Sequence, residues 1–458
     1  MRNILIYCLA VLFLASCGNS STQRKGGNKP SENSEMTAVT ASKIKPVVNG
    51  CTLMAIYLPA VTASKIKPVV NVYVENSGSM AGYVNGNTDF KKAVYNYLTD
   101  IKISGITDTL NLFYINDKSV AKGSDVEDFI EKLNPNQCVF ATSDISNVFD
   151  LVLKRTDNKQ ISVLITDGIF SPGRGKDAEQ YLVNQQIGIK TSMAEYLKVF
   201  PNTAVIVYQL SSNFKGRFFN REDKPENIDA SRPYYIWVIG DVANIASLKA
   251  HIPDERFKGG GVQHSYTLLP PVNMKIDYAI LSSPKQGSFN RQTSSGSGCS
   301  RKKDIVNPKT SIYNIKKASN GAHKGNFMFT IGMDLSLFTV LLGDEYLTNT
   351  ESYARLINKQ PNNDYFIEIE HNTNPNTNYT HNMKLTTDKI SVGELEIILR
   401  NQFPQWIYDI NDEEGLDIYK NDAINKTFGI KYLAEGIYEA YNFSGSSIYT
   451  TMKFNLKK

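Results

Sequence analysis

The chain has 458 residues, of which 41% are apolar and 21% are charged, and its formal net charge is +5. This length is too great for one ordinary hydrophobic core, so two or three domains are expected, and the composition excludes a wholly disordered chain. A small positive charge without a long lysine or arginine run gives no electrostatic footprint for nucleic acid, so no nucleic-acid partner is expected.

The first predicted segment is a secretory signal over residues 1–16. Arg2 precedes the twelve apolar letters ILIYCLAVLFLA, which are too few for the roughly 20 residues of a membrane-spanning helix. The letters LASC at 14–17 resemble the lipobox of bacterial lipoproteins, and this resemblance implies cleavage before Cys17 and acylation of that cysteine. Several acyl chains on one cysteine would hold the protein on a membrane. A plain signal peptide with a chance cysteine is the alternative.

Residues 17–68 are predicted to form a flexible tether. The stretch 18–36 is Gly, Ser, Asn, Pro and charge without an apolar period. The letters AVTASKIKPVVN occur at 38–49 and are repeated without change at 60–71, which indicates a recent DNA duplication or an assembly error and not a repeat architecture. A flexible coil of roughly 45 residues spans on the order of 35 to 40 Å. We therefore expect a lipid-anchored protein of the bacterial cell envelope, attached to the outer membrane. The sequence does not distinguish between the periplasmic face and the outer surface of that membrane.

Residues 69–255 are predicted to form an α/β domain. Near-continuous apolar strands are separated by amphipathic helical segments, and the predicted strands are 69–75, 109–116, 161–168, 203–210 and 234–241. The longest helical segment between them covers 177–199. This alternation indicates a doubly wound, mostly parallel, Rossmann-like sheet with helices on both faces.

Residues 256–458 are predicted to form a second, mainly β domain. The helical alternation stops, and apolar runs such as NFMFTIGMDL and LEIILRNQF are separated by Asn, Gly, Pro and Thr. Such a pattern favours a sandwich-like arrangement of strands. One helix is predicted within TFGIKYLAEGIYEAYNF at 427–443. Trp237 and the many tyrosines are expected to fill cores, although they could also line a carbohydrate or protein surface.

Polar residues follow two of the predicted parallel strands. Glu75 ends the first strand in VVNVYVENSGSMAGYV, and Asp167 ends the strand ISVLITDG. The carboxyl ends of parallel strands meet at one edge of a sheet, so both carboxylates are expected there. Ser77 and Ser79 lie two residues apart in the turn after the first strand, and their hydroxyls can point to the same edge.

A third loop is expected to complete an all-oxygen site at this edge. The letters ATSDIS at 141–146 contribute Ser143, with Thr142 as the alternative. Hydroxyl and carboxylate oxygens suit a hard divalent cation. Mg²⁺ is the expected ion, and Mn²⁺ and Ca²⁺ are the alternatives.

The fragments VYVENSGSM, TSDI and VLITDG, in this order, resemble the von Willebrand factor A domain and its metal-ion-dependent adhesion site. The family pattern is Asp-x-Ser-x-Ser, then a threonine, then an aspartate in a Thr-Asp-Gly turn. The resemblance covers about 69–255 and implies that Ser77 and Ser79 contact the metal, with Ser143 in the place of the threonine. Asp167 matches the second aspartate.

Two positions depart from the family pattern. Glu75 stands in place of the first aspartate and is one methylene longer, so its carboxylate reaches further into a crowded turn. Ser143 lacks the methyl group that fixes the rotamer of a threonine. The alternative is a domain without metal, whose hydroxyls cap the following helices.

The resemblance implies binding of a protein partner and no enzymatic activity. An acidic side chain of the partner would complete the coordination of the ion, while Glu75 and Asp167 orient its waters. The alternative is a metal-free scaffold in an envelope assembly. A hydrolase accessory domain is a third and weaker possibility.

Other motifs in the chain give no site. The centre of GSMAG is a methionine and not a nucleophile, GIFSPGRGK departs from a phosphate-binding loop, and DINDEEGLD lacks the glycine and closing glutamate of a calcium loop. The cysteines outside the signal and lipobox predict no disulfide framework. The five histidines show no metal-ligand or catalytic spacing and are expected at the surface or in loops: His251, His264, His323, His371 and His381.

Overall fold

The computed structural model describes residues 67–138, 144–270, 274–291, 307–443 and 448–458. The predicted signal, almost all of the tether, Cys17 and Ser143 lie outside these residues. Within the described ranges, no helix has the length and apolar character needed to cross a membrane.

The first part of the chain alternates strands and helices, as its apolar periodicity predicts. Its elements are β1 (Val69–Glu75), α1 (Asp89–Ile103), β2 (Leu110–Ile115), β3 (Ser119–Ala121), α2 (Val126–Lys132), α3 (Ile145–Lys154), β4 (Gln160–Thr166), α4 (Ala178–Val199), β5 (Thr203–Phe219), β6 (Pro225–Asp241), α5 (Val242–His251) and β7 (His264–Leu268). Side-chain oxygens accept backbone N–H groups at the starts of α1, α3 and α4, where Thr88, Asp144 and Asp177 are the N-caps.

The second part of the chain is mainly β, as predicted. Its elements are β8 (Tyr278–Ile280), β9 (Ser288–Arg291), β10 (Ser311–Lys316), β11 (Phe327–Met333), α6 (Ser336–Leu342), α7 (Asp344–Thr348), β12 (Tyr353–Ile357), β13 (Gln360–Pro361), β14 (Phe366–His371), β15 (His381–Thr387), β16 (Gly393–Arg400), α8 (Gln405–Asp409), β17 (Asn411–Asp412), β18 (Thr427–Phe428), α9 (Ile430–Tyr441) and β19 (Ile448–Leu456).

A seven-stranded mixed sheet organises the first part, in the order β3-β2-β1-β4-β6-β5-β7. The predicted parallel pairing is present between β2, β1 and β4. The remaining pairs are antiparallel, so that four of the seven strands, β1, β2, β4 and β5, run in one direction. Side chains of β1 and β4 are buried on both faces, which is why these strands read as continuous apolar runs.

The longest strand pair is the antiparallel hairpin of β5 and β6, which sequence analysis predicted only in part. Each strand has 17 residues, whereas the predicted strands stop at residue 210 and start at residue 234. The unpredicted stretch SSNFKGRFF alternates buried and exposed side chains and carries polar letters, so it has no continuous apolar run. Its pairing with β6 makes it a strand.

Helices cover both faces of the large sheet, as a doubly wound arrangement requires. Buried side chains of α1, α2 and α5 join the core on one face. Those of α3, α4 and α9 join a second core on the other face, where Trp237 is also buried, as expected for the aromatic residues.

Three further sheets form the second part: a six-stranded sheet β13-β12-β16-β19-β10-β9, an antiparallel four-stranded sheet β14-β15-β11-β8 and the short parallel pair β17-β18. Buried side chains of the six-stranded and four-stranded sheets continue the first core, which includes both Val72 and Phe329. β7 joins the large sheet and α9 packs on α4, so contacts cross the predicted boundary at residue 255. The boundary itself stays a prediction.

Candidate functional site

The loop after β1 is held in a fixed shape at the carboxyl edge of the large sheet. The backbone N–H of Asn76 donates to the carbonyl of Ile115 at 3.1 Å, and the Asn76 side chain donates to the carbonyl of Gln137 at 3.1 Å. Ser77 is extended and precedes a short 3-10 helix, Gly78–Gly82. The carbonyl of Ser77 accepts from the N–H of Met80 at 3.1 Å.

Glu75 is positioned by the neighbouring strand β4. The side-chain hydroxyl of Thr166 donates to the Glu75 carboxylate and accepts the backbone N–H of Gly168 at 2.9 Å. Glu75 is only 2% exposed. Its extra methylene, compared with an aspartate, therefore lets the carboxylate contact the adjacent strand.

The side chains of Ser77, Ser79 and Asp167 come together at this edge. The two serine hydroxyl oxygens are 2.9 Å apart. The Ser79 hydroxyl is close enough to Asp167 to lower the pKa of its carboxyl group. Oδ1 of Asp167 accepts the N–H of Ile169 at 3.2 Å, whereas Oδ2 is buried and has no hydrogen-bond partner among the described residues.

The electrostatics of Asp167 are dominated by its burial. Burial and the neighbouring Glu75 raise the pKa of Asp167 to about 7, against the opposing effects of Ser79, the N–H of Ile169 and the charge of Arg232. Ionising two carboxyl groups in one buried site costs free energy, because the like charges repel and little solvent is present to stabilise them. A cation or a proton bound at Asp167 would relieve this cost.

Two neighbours of this site were not predicted from the sequence. The half-buried free thiol of Cys138 has its pKa raised to about 12 by burial and by the charges of Glu75 and Asp167. Arg232 is only 2% exposed, and its guanidinium donates to the carbonyls of Ala423 and Ile424 at 2.9 and 2.7 Å. No local motif marks Arg232, because its partners are about 190 residues away in the chain.

Residues 423–430, which we call the covering segment, pack over the end of β4. The Tyr235 hydroxyl donates to Thr427 at 3.0 Å, and the N–H of Phe170 donates to the carbonyl of Phe428 at 3.3 Å. A Cβ on Gly168 would lie 3.0 Å from Cδ1 of Ile430. Ser77 and Asp167 are each 1% exposed.

The residues present match the chemistry of a hard divalent cation. The unpartnered Oδ2 of Asp167 and the paired hydroxyls of Ser77 and Ser79 offer oxygen ligands at one place. The Glu75 carboxylate already accepts from Thr166, so it would act beside the ion.

Four of the five predicted metal-site residues are therefore neighbours: Glu75, Ser77, Ser79 and Asp167. The fifth, Ser143, lies outside the described residues. Asp144, which follows it, caps α3 by accepting the N–H groups of Ser146 and Asn147. The assignment of metal-binding roles to these residues stays a prediction.

The prediction that the five histidines lie at the surface or in loops was wrong for His381, which is buried in β15. His371 and His381 lie side by side with Asp344, and their ligand atoms are all within 4.8 Å of one another. Their spacing in the chain follows no short motif, because a hairpin loop separates them. The available signal was that His371 ends the strand-like run DYFIEIEH and that His381 begins the next such run, HNMKLTT.

Comparison of the chain with known protein families, with curated proteins and with solved structures gave no match. The assignment of a function therefore rests on the residues and geometry described above.

Proposed function

We propose that this chain is a lipid-anchored protein of the bacterial cell envelope that binds a protein partner through a divalent-metal site. The site comprises Ser77, Ser79 and Asp167, with Glu75 beside them, in a von Willebrand factor A-like arrangement of the large sheet. The second part of the chain would form a sandwich-like support. Mg²⁺ is the proposed ion, and an acidic side chain of the partner is its proposed additional ligand.

A single observation carries this proposal. Oδ2 of Asp167 is buried without a hydrogen-bond partner among the described residues, beside a pair of serine hydroxyls 2.9 Å apart. An unpaired buried polar atom costs roughly 1 to 3 kcal/mol, and a bound cation would remove that cost. Hydroxyl and carboxylate oxygens without nitrogen or sulfur are the donors that Mg²⁺ prefers.

Burial favours a second candidate, a metal-free scaffold in an envelope assembly. Glu75, Ser77 and Asp167 are each no more than 2% exposed, and the covering segment lies over the end of β4. A pKa near 7 allows Asp167 to be protonated and neutral, which reduces the need for an ion. In this case a partner would bind elsewhere on the surface, and its binding would not depend on Mg²⁺.

Calorimetry with Mg²⁺ on the purified full-length chain separates the two candidates. We expect saturable binding in the wild type and its loss in Ser77→Ala, because one metal ligand is removed. Ser104→Ala is the matched control, since Ser104 caps the far end of the 15-residue helix α1, roughly 20 Å away along the helix axis. Equal Mg²⁺ binding in both variants would contradict the proposed site, and no binding in the wild type would support the metal-free scaffold.

Capture of envelope proteins tests the role of the metal in partner binding. Wild-type and Ser77→Ala protein are used as bait in buffer with Mg²⁺ and in buffer without it. A partner held by the metal is expected only on wild-type bait in the presence of Mg²⁺. A partner retained equally on both baits in both buffers would show binding that does not use this site.

A further inference from the structure

A second group of ionisable side chains lies in the β-rich part of the chain, away from the ends of β1 and β4. Asp344 begins α7, His371 ends β14 and His381 begins β15. In the antiparallel pairing of the two strands, His371 and His381 stand directly opposite each other, and their ring centroids are 4.8 Å apart. Since α7 packs against β14, three separate elements bring these side chains together.

The two histidines face different oxygens of the same carboxylate. Nε2 of His371 is 3.0 Å from Oδ2 of Asp344, and Nε2 of His381 is 3.5 Å from Oδ1. A tetrahedral Zn²⁺ ion with bonds of about 2.0 to 2.1 Å holds adjacent ligand atoms roughly 3.3 Å apart. The two observed separations lie on either side of that value.

The other ring nitrogen of His381 contacts the side chain of Thr380. Nδ1 lies 2.9 Å from the Thr380 hydroxyl oxygen. That oxygen accepts the N–H of Leu335 at 2.9 Å, and its own proton is directed to the carbonyl of Met333 at 3.4 Å. In the tautomer in which Nδ1 of His381 donates to Thr380, the lone pair of the neutral ring is on Nε2, the nitrogen that faces Asp344.

That lone pair has no partner among the described residues. Nε2 of His381 and Oδ1 of Asp344 are both buried and without a hydrogen bond, and the 3.5 Å between them is too long for a good one. Two acceptor atoms that face each other repel, and each costs free energy while it is unpaired. A cation between them satisfies both atoms at once.

We propose that Asp344, His371 and His381 bind a Zn²⁺ ion, with water in the fourth position. Two imidazoles and a carboxylate are a donor set that suits zinc and not Mg²⁺. His381 is 1% exposed and forms a rigid base, whereas the side chains of His371 and Asp344 are 40% and 44% exposed. The ion therefore has a route from solvent, and rotation of the exposed His371 ring adjusts the geometry around it. Thr380 is a positioning residue that orients His381.

Metal titration of the purified full-length chain tests this site. The protein is stripped with a chelator, returned to chelator-free buffer and titrated with ZnCl₂ against a chromophoric competitor. We expect one tight site per chain in the wild type and at least a tenfold loss of affinity in His371→Ala, whose exposed side chain can be removed without opening a core. His323→Ala, at another exposed histidine, is the matched control and should bind Zn²⁺ as the wild type does.

Thr380→Val separates orientation from coordination. This variant keeps all three ligands but loses the acceptor for Nδ1 of His381, and loss of such a supporting contact typically lowers metal affinity about 10- to 100-fold. Co²⁺ in place of Zn²⁺ should give tetrahedral ligand-field absorption in the wild type and a changed spectrum in Thr380→Val. An unchanged spectrum and affinity would remove Thr380 from the proposal.

The proposal is overturned if the wild type holds no Zn²⁺, or if His371→Ala and His323→Ala bind it equally. Failure of this zinc proposal would leave the proposed Mg²⁺ site at the ends of β1 and β4 untouched. His371→Ala should leave Mg²⁺ calorimetry unchanged, and Ser77→Ala should leave the Zn²⁺ titration unchanged.

Discussion

At the scale of single residues, the carboxyl group of Asp167 shows how burial decides chemistry. Its place after an apolar strand predicts that it lies at the sheet edge, but not how deeply its carboxyl group is buried. Its pKa rises to about 7 because the group is buried and because Glu75 lies beside it. The strand that carries Glu75 is about 90 residues earlier in the chain, so this effect exists only in the fold.

The raised pKa predicts a pH dependence of stability. In the unfolded chain Asp167 loses its proton near its ordinary pKa of 3.8, whereas the folded protein keeps that proton up to about pH 7. Between these values the folded state binds more protons, so its free energy of unfolding falls as pH rises, by at most about 1.4 kcal/mol per pH unit. Asp167→Asn cannot titrate and should reduce this slope in metal-free denaturant titrations across the range.

The control for this prediction is Asp117→Asn, which removes an exposed carboxylate. It should keep the wild-type slope. If Asp167→Asn keeps the same slope as well, the carboxyl group of Asp167 titrates alike in the folded and unfolded chain, and the proposed electrostatics of the site are wrong.

At the scale of elements, the contact between α4 and α9 depends on one small residue. Gly436 of α9 lies so close to α4 that an added Cβ would be 2.8 Å from the backbone carbonyl oxygen of Gln186 and 3.0 Å from the side chain of Ile189. Near this contact Lys190 forms an ion pair with Glu439 at 2.8 Å. The ion pair is about two-fifths exposed on both sides and contributes little, so close packing is the main source of stability here.

Gly436→Ala is therefore expected to destabilise the protein although alanine is the better helix former. Overpacking of a close contact costs typically about 1 to 3 kcal/mol. Gly188→Ala is the matched control, because Gly188 is an exposed residue of α4 with nothing within 4 Å of an added Cβ. It should stabilise by roughly 0.5 to 1 kcal/mol. Chemical denaturation measures both, and a stabilised Gly436→Ala would show that the helices are not closely packed at this position.

The long hairpin of β5 and β6 is the second element that sets the surroundings of the candidate site. Its outer half extends past the sheet edge, where Gly216 contacts Gly82 in the turn after β1. Phe214 also packs on Gly82, with its ring 2.3 Å from the position of an added Cβ. The outer half of the hairpin therefore packs on the turn Gly78–Gly82, which carries Ser79.

At the scale of the whole molecule, the described residues share cores that extend across the predicted domain boundary. One core includes side chains of the large sheet and of the six-stranded and four-stranded sheets. The other joins α3 and α4 to α9, which is more than 200 residues further along the chain. All described residues belong to one compact unit, Met54–Lys458.

A chain that ends at residue 255 tests this arrangement. It lacks β7 and α9, so the edge of β5 and apolar side chains of α4, including Ile189 and Met193, lose their cover. We expect this fragment to bind a dye for exposed apolar surface and to unfold without a sharp transition, unlike the full chain. A cooperatively folding fragment that does not bind the dye would instead support independent domains on either side of residue 255.

The sequence by itself determined the local elements and the place of the candidate site. The apolar runs of β1, β2 and β4 and the helical period of α4 depend only on residues that are close together in the sequence. The carboxyl ends of parallel strands lie at one edge of a sheet. This is why Glu75, Ser77 and Asp167 could be placed together before their contacts were known.

Only the tertiary structure decided what surrounds that edge and which other residues meet. The full hairpin of β5 and β6, the covering segment over β4 and the group of Asp344, His371 and His381 all depend on pairing between distant parts of the chain. Such pairing is set by strand register and by the packing of whole elements, and it produces no local pattern in the sequence. Burial follows from the same contacts, so the pKa of Asp167 and the access to its site were fixed at that level.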